Sequence, residues 1–329
     1  MDSSAAALTD KPVFIVSSGR SGSTILTWCL GQHPNIIPQE ESNWLGPFAI
    51  DAAVGYQRGS ARGERGQLSV NFIQREELLA SFGRTINKLI LSHRKQFESI
   101  DLRRQAGWSP PPFPVSRSRT EPKSRWVDGT PEYSFYICGL RKLFPQAVFI
   151  HLVRDATDVV RSLLNFFPDG RNRLIANEQE AYEYWLRRVS ACVKAEQAYG
   201  PDVVRRVRYS EIVERPESAM RSLLDFLGEP YAPQCLEPLA ERINSANVPV
   251  NFNERDPATD QTIVEQSRQL SDKLQRSPQS GEASITVAEK LETEFCEQVQ
   301  YLLNLERKYS EAQRLIAKLH QEPDRFSAL

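Results

Sequence analysis

The sequence predicts an α/β fold, a parallel sheet flanked by helices and followed by one long C-terminal helix. Three observations carry that expectation. The run Val13-Phe14-Ile15-Val16 is continuously apolar and stops at Ser17-Ser18-Gly19, as does a strand buried on both faces that enters a tight loop. Strand-like and helix-like segments then alternate as far as Leu227, which implies parallel strands joined by right-handed crossovers. Beyond Ser284, apolar residues recur at three- and four-residue steps to Leu319, the mark of a long helix.

After the opening strand, Ile25, Leu26, Cys29 and Leu30 have helical spacing, so a helix covers Ser23 to Gly31. An amphipathic helix is expected around Phe72 to Phe97. It is framed by the polar, glycine-rich stretch Gly59 to Gln67 and the proline-rich, basic stretch Gly107 to Lys123, both read as surface loops over a site. Arg125 to Asp128 gives a strand and Tyr133 to Leu143 a helix; Ala147 to Val153 gives a second apolar strand and about Asp155 to Phe166 its helix. The alternation continues with a helix from Gln179 to Ala198, a strand from Val203 to Tyr209, and a helix from Pro216 to Leu227 that Gly228 closes. Pro249 to Ser284 is polar and shows no pattern.

The last helix, Ile285 to His320, carries Leu291, Phe295, Leu302, Leu305, Tyr309, Ala312, Ile316 and Leu319 in near-heptad spacing. That stripe suits either packing on the domain or a seam between two copies of the chain. The organisation expected is a flexible start over residues 1–10, one domain over 11–284, and the helix over 285–329.

Composition narrows the function classes. Lysine plus arginine, 41, nearly cancels aspartate plus glutamate, 42, so no global basic field would hold nucleic acid, and any anion site must be local. No window approaches the roughly 18 apolar residues of a membrane span, and the start lacks the order of a secretory signal. Cys29, Cys138, Cys192, Cys235 and Cys296 never form a C-x-x-C pair, and the four histidines share no ligand spacing. The expectation is a cytoplasmic protein without metal.

Between the first strand and helix lies Ser17-Ser18-Gly19-Arg20-Ser21-Gly22-Ser23-Thr24. In that place successive backbone N–H groups and the positive helix end make a nest for a doubly charged phosphate, so the sheet is of P-loop type. A glycine-serine turn without a ligand is the plainer reading. Against G-x-x-x-x-G-K-[ST], Ser17 replaces the first glycine and Ser23 the lysine, which removes the cation that grips a nucleoside triphosphate and weakens a kinase reading.

The loop, its apolar helix and His33-Pro34 resemble the 5′-phosphosulfate loop of sulfotransferases, especially the branch containing tyrosylprotein sulfotransferases and many bacterial members. A second segment, Val148 to Asp155 through Arg161-Ser162, is similar to the same family's 3′-phosphate motif. Further likeness runs through Tyr182 to Trp185, Arg208 to Ile212 with Pro216, and Ile243 to Val248.

The resemblance implies transfer of a sulfuryl group from 3′-phosphoadenosine 5′-phosphosulfate to an acceptor hydroxyl. It implies that Arg20, Ser21, Gly22, Ser23 and Thr24 surround the 5′-phosphosulfate, that Arg154 and Ser162 grip the 3′-phosphate, and that Tyr209 lies near the nucleotide. Ser245 and Asn247 match a segment near the sulfuryl end. Glu41, within the Glu40-Glu41 pair, matches the family's catalytic base, with Glu40 as the alternative; a solvated loop pair is the plainer reading. In Trp126-Val127-Asp128-Gly129-Thr130-Pro131, glycine stands where related sequences often carry a lysine facing the transferring group. Arg20 alone, Lys123 or Arg125 would then supply the cation, or the fold would bind its nucleotide as an assembly protein without turnover. The acceptor stays open among glycan, lipid, metabolite and tyrosine.

Overall fold

The computed structural model describes residues 11–61, 63–99, 123–167, 173–240 and 258–321. Five parallel strands form the sheet: β1 (Val13–Val16), β2 (Ile36–Gln39), β3 (Arg125–Asp128), β4 (Val148–Val153) and β5 (Val204–Arg208), in the order β2-β3-β1-β4-β5. β1 sits at the centre, so both its faces must be covered, and each of its four residues is fully buried. Phe14 and Val16 point into one core layer, Val13 and Ile15 into the other, the two-residue period of a strand.

Phe14 centres the first layer, with the rings of Trp126, Tyr133, Phe144 and Phe149 at 5.4 to 5.9 Å. That layer is closed by α2 (Leu45–Ser60), α4 (Arg75–Ser99), α5 (Ile137–Leu143) and the first part of the final helix. The second layer packs α1 (Ser23–Gly31), α8 (Tyr209–Glu214) and α9 (Pro216–Leu227) on Val13, Ile15, Ile150 and Leu152. A third cluster joins the end of β4 to α6 (Ala156–Leu164), α7 (Glu178–Tyr199) and α10 (Gln261–Arg276). Local chemistry marks the boundaries. Asp155 and Asn177 cap α6 and α7 by accepting from the N–H of Asp158 and Glu180, and Gly228 ends α9 at φ 70°.

Three expectations are corrected. Gln261–Arg276, read as patternless, is a helix, α10; Val264, Ser267, Ser271 and Leu274 form its buried stripe, a small-residue seam that apolarity alone does not flag. The stretch 59–67 is not an open loop: it holds the end of α2, a 3-10 turn at Gly63–Arg65 and the start of α3 (Gln67–Val70). The helix expected from Tyr133 begins as a 3-10 turn at Pro131–Phe135 and becomes α-helical only at Ile137.

α11 (Ile285–Gln321) is two different things along its length. Phe295 and Val299 are buried in the domain, whereas Tyr301, Leu305, Tyr309, Leu315, Ile316 and Leu319 are exposed. Residues 1–10 lie outside the described set. Among the described residues no helix is long and apolar enough to cross a membrane, and no group of side chains is placed to hold a metal ion.

Candidate functional site

The loop leaves β1 at the carboxyl edge of the sheet and returns as α1, with Arg20 at φ 68° and Gly22 at φ 102°. Two left-handed residues turn the chain sharply enough to aim its amides at one point in front of the helix. Arg20 adopts this conformation at a cost of order 1 to 3 kcal/mol, which the surrounding contacts must offset. Little room is left for a side chain at two glycines. A Cβ on Gly22 would stand 2.6 Å from the Tyr209 ring, and one on Gly19 would stand 2.7 Å from the Tyr184 hydroxyl.

The second motif meets the first. Arg20 Nε donates to Ser162 Oγ at 3.1 Å, and Arg154 Nη1 donates to the carbonyl of Arg20 at 3.2 Å. The Arg154 guanidinium stacks on Tyr209 at 4.9 Å, and that of Arg20 on Phe166 at 4.4 Å. Asp155 caps α6 and accepts from Ser271, and Arg154 makes no ion pair among the described residues. Burial, with the nearby charge of Arg154, lowers the pKa of Arg20 from its ordinary value, while Glu41 opposes the shift.

These residues enclose a cavity of about 360 Å³, lined by Gly19, Arg20, Gly22, Ser23, Thr24, Glu41, Glu132, Arg154, Tyr184 and Tyr209, among others. Ser162 stands behind it, reached through Arg20, and Ser21 is buried beneath it. The hydroxyl of Ser21 and the Nε of Arg154 are buried without a hydrogen-bond partner. Such orphaned groups fit an anion that accepts from them. Ser245 and Asn247 lie outside the described residues.

Glu41, not Glu40, lines the cavity. Its segment is stitched to the end of β3: Asp128 Oδ1 accepts from the N–H and hydroxyl of Thr130 at 2.9 and 2.6 Å, and Thr130 Oγ1 accepts from Ser42 N–H at 2.9 Å. The Tyr133 hydroxyl bonds Ser42 and accepts from Leu45 N–H at 3.0 Å. Burial first, then the charges of Glu132 and Asp128, raise the Glu41 carboxyl to about 7, with Arg20 pulling it down. Its side chain still opens to the cavity and to solvent. A carboxyl balanced near neutrality can exchange a proton with a bound hydroxyl.

Gly129 now has a steric reason: a Cβ there would lie 2.3 Å from Thr27 Oγ1 on α1. Neither Lys123 nor Arg125 lines this cavity. Lys123 is buried against the carbonyl of Pro34, and Arg125 donates to the carbonyl of Leu227 at 2.8 Å while pairing with Glu229 at 3.2 Å. Both stand at the start of β3, the far end from the loop. Tyr184, Glu132 and Phe166 are site residues that sequence reasoning missed; Tyr184 lay within the similar segment around Trp185, but one helix position does not say which cavity it faces.

Over 123 residues the chain is 29% identical to the protein-tyrosine sulfotransferase of Drosophila melanogaster, a match covering 37% of this chain and 24% of that one; it spans about a quarter of the relative's length. The sulfotransferase domain of the Synechococcus PCC 7002 olefin synthase superposes with a TM-score of 0.44 at 20% identity, covering 87% of this chain and 94% of that one. A sulfotransferase from Alicyclobacillus acidocaldarius gives 0.40 at 14%, over 82% and 97%. The sequence model described as the Sulfotransferase family matches residues 12–233, which hold the loop, the Arg154–Ser162 motif and Tyr209. With two thirds of its length accounted for in this way, the chain belongs to the sulfotransferase family.

Proposed function

We propose that the protein moves a sulfuryl group from 3′-phosphoadenosine 5′-phosphosulfate to an acceptor hydroxyl. The single observation that carries this reading is the convergence of Arg154 and Ser162 on Arg20, two anion-binding groups within one nucleotide's reach of the loop. The loop amides, with the Ser23 and Thr24 hydroxyls, take the 5′-phosphosulfate. Arg154 forks onto the 3′-phosphate with Ser162 beside it, Ser21 adds its unpartnered hydroxyl beneath the loop, and Tyr209 stacks on Arg154 at the nucleotide's edge. Ser245 and Asn247 are kept as donor contacts near the sulfuryl end.

In the transfer, the acceptor oxygen forms a bond to sulfur as the bond from sulfur to the bridging oxygen breaks, leaving 3′-phosphoadenosine 5′-phosphate. Glu41 receives the acceptor proton, and Arg20 faces the charge that grows on the bridging oxygen. With Gly129 offering no side chain and Lys123 and Arg125 engaged elsewhere, Arg20 is the cation assigned to this step. Five free cysteines suit a reducing cytoplasm, and a metabolite, glycan or lipid precursor is the favoured acceptor over an acidic peptide.

Transfer of radiolabelled sulfur to a panel of acceptor classes tests the proposal, with Glu41→Gln as the control. Label transfer that persists in that variant removes Glu41 from the mechanism. A protein stabilised equally by 3′-phosphoadenosine 5′-phosphate and its 3′-dephosphorylated analogue does not select this donor.

A further inference from the structure

Among the described residues, four charged side chains line the cavity: Arg20, Glu41, Glu132 and Arg154. Both cations stand around the loop, where the donor's phosphates belong, and Glu41 has the base's role. Glu132 is left over. It follows Pro131 in the 3-10 turn, and two side chains of α7 fix it. Its Oε1 accepts from the Tyr184 hydroxyl at 3.4 Å and from Arg188 Nη2 at 3.2 Å. Arg188 lies 3.4 Å from the centre of the Tyr184 ring and 5.2 Å from that of Phe135, so its own place is set by stacking on two rings.

Both contacts fall on one oxygen of Glu132, and the side chain remains 43% exposed. Arg188 is 10% exposed and does not line the cavity, so the face turned to an incoming molecule is the carboxylate and not its counter-ion. A carboxylate held in place accepts a hydrogen bond strongly and repels another anion.

We infer that Glu132 is a specificity-determining residue. It accepts a hydrogen bond from a hydroxyl or ammonium group beside the reacting hydroxyl, selecting polyol or amino-alcohol acceptors over any that carry a carboxylate or phosphate at that place. Arg188 and Tyr184 are its positioning residues. The inference rests on the proposed transfer reaction, since only there does this wall of the cavity receive an acceptor.

The test is calorimetry on the full chain saturated with 3′-phosphoadenosine 5′-phosphate, using three matched probes: 2-amino-1-phenylethanol, 1-phenyl-1,2-ethanediol and mandelate. The ammonium probe should bind about tenfold or more tightly than the carboxylate, with the diol between them, the scale of one charge-assisted hydrogen bond. In Glu132→Gln that ratio should collapse to about threefold or less, and in Arg188→Lys, which keeps the charge but loses the guanidinium stacked on Tyr184 and Phe135, it should fall partway. Melting curves of both variants show whether each is folded. Equal affinities, tightest binding of mandelate, no binding of the ammonium and diol probes, or an unchanged ratio in a folded Glu132→Gln variant overturns the inference alone. Failure of 3′-phosphoadenosine 5′-phosphate itself to bind overturns the donor reading and the inference with it.

Discussion

The Nε of Arg20 and the Oγ of Ser162 are 3.1 Å apart although 142 positions separate them in the chain. This contact ties the turn after the central strand to the helix after its neighbour, and Arg154 reinforces it from the end of β4. Two motifs that each could be a bland structural feature become one site because the sheet order places β1 beside β4.

Arg154→Ala should weaken binding of 3′-phosphoadenosine 5′-phosphate by roughly thirtyfold, about 2 kcal/mol for a lost charge-assisted hydrogen bond. The 3′-dephosphorylated analogue should be affected far less. Calorimetry with both ligands measures the difference, and equal losses would place Arg154 elsewhere than at the 3′-phosphate.

Gly22→Ala combines a positive φ with a Cβ 2.6 Å from the Tyr209 ring. It should cost about 2 kcal/mol or more of stability and abolish donor binding. Adding Tyr209→Ala relieves the clash but not the backbone strain, so the double variant should recover only part of the melting temperature.

Transfer activity should rise with pH through about 7, because Glu41 accepts a proton only as the carboxylate and its pKa is raised to about 7 by burial, then Glu132 and Asp128. One pH unit below that value, the rate should be about a tenth of its high-pH plateau. Glu41→Gln should remove the pH limb and lower the rate by roughly 10² to 10⁴ while the donor still binds. A limb that survives in this variant belongs to another group.

Away from the cavity, His151 on β4 is fully buried and its Nδ1 meets Glu196 at 2.5 Å, while Arg206 on β5 pairs with the same carboxylate. Burial works to raise the Glu196 pKa, but His151 and Arg206 outweigh it and lower it. A depressed carboxylate stabilises the fold above its ordinary range, and that contribution is lost as pH falls through the lowered value. Glu196→Ala should cost about 3 to 5 kcal/mol by leaving Arg206 uncompensated, seen as a drop in urea midpoint at pH 7.

Beyond Leu302, which still packs on the domain, Leu305, Tyr309, Ala312, Ile316 and Leu319 continue a heptad stripe along the exposed part of α11. Sedimentation of the full chain should report a dimer, and the pair Leu305→Glu and Ile316→Glu should report a monomer of unchanged melting temperature. A monomer before substitution refutes self-association through this helix.

Much of the fold was legible because its signals are local. The buried run of β1, the apolar strand β4, the Pro216 start and Gly228 stop of α9, and the long period of α11 each depend on neighbours in sequence. β2 and α10 escaped because Ile36–Gln39 is short and interrupted by Pro38, and because α10 buries serines as well as Val264 and Leu274. A small polar residue facing a tight seam looks the same in sequence as one facing water.

The sequence by itself determined a strand-loop-helix unit with a glycine-serine turn, a later arginine-serine motif and the family to which both belong, since those rest on residue type and short spacing. Only the tertiary structure decided that Arg20 bridges the two motifs, that Lys123 and Arg125 are occupied at the far end of β3, and that Tyr184 and Glu132 line the cavity with Arg188 held behind them. These facts depend on strand order and helix rotation, which bring distant positions within hydrogen-bond range. No spacing along the chain encodes them.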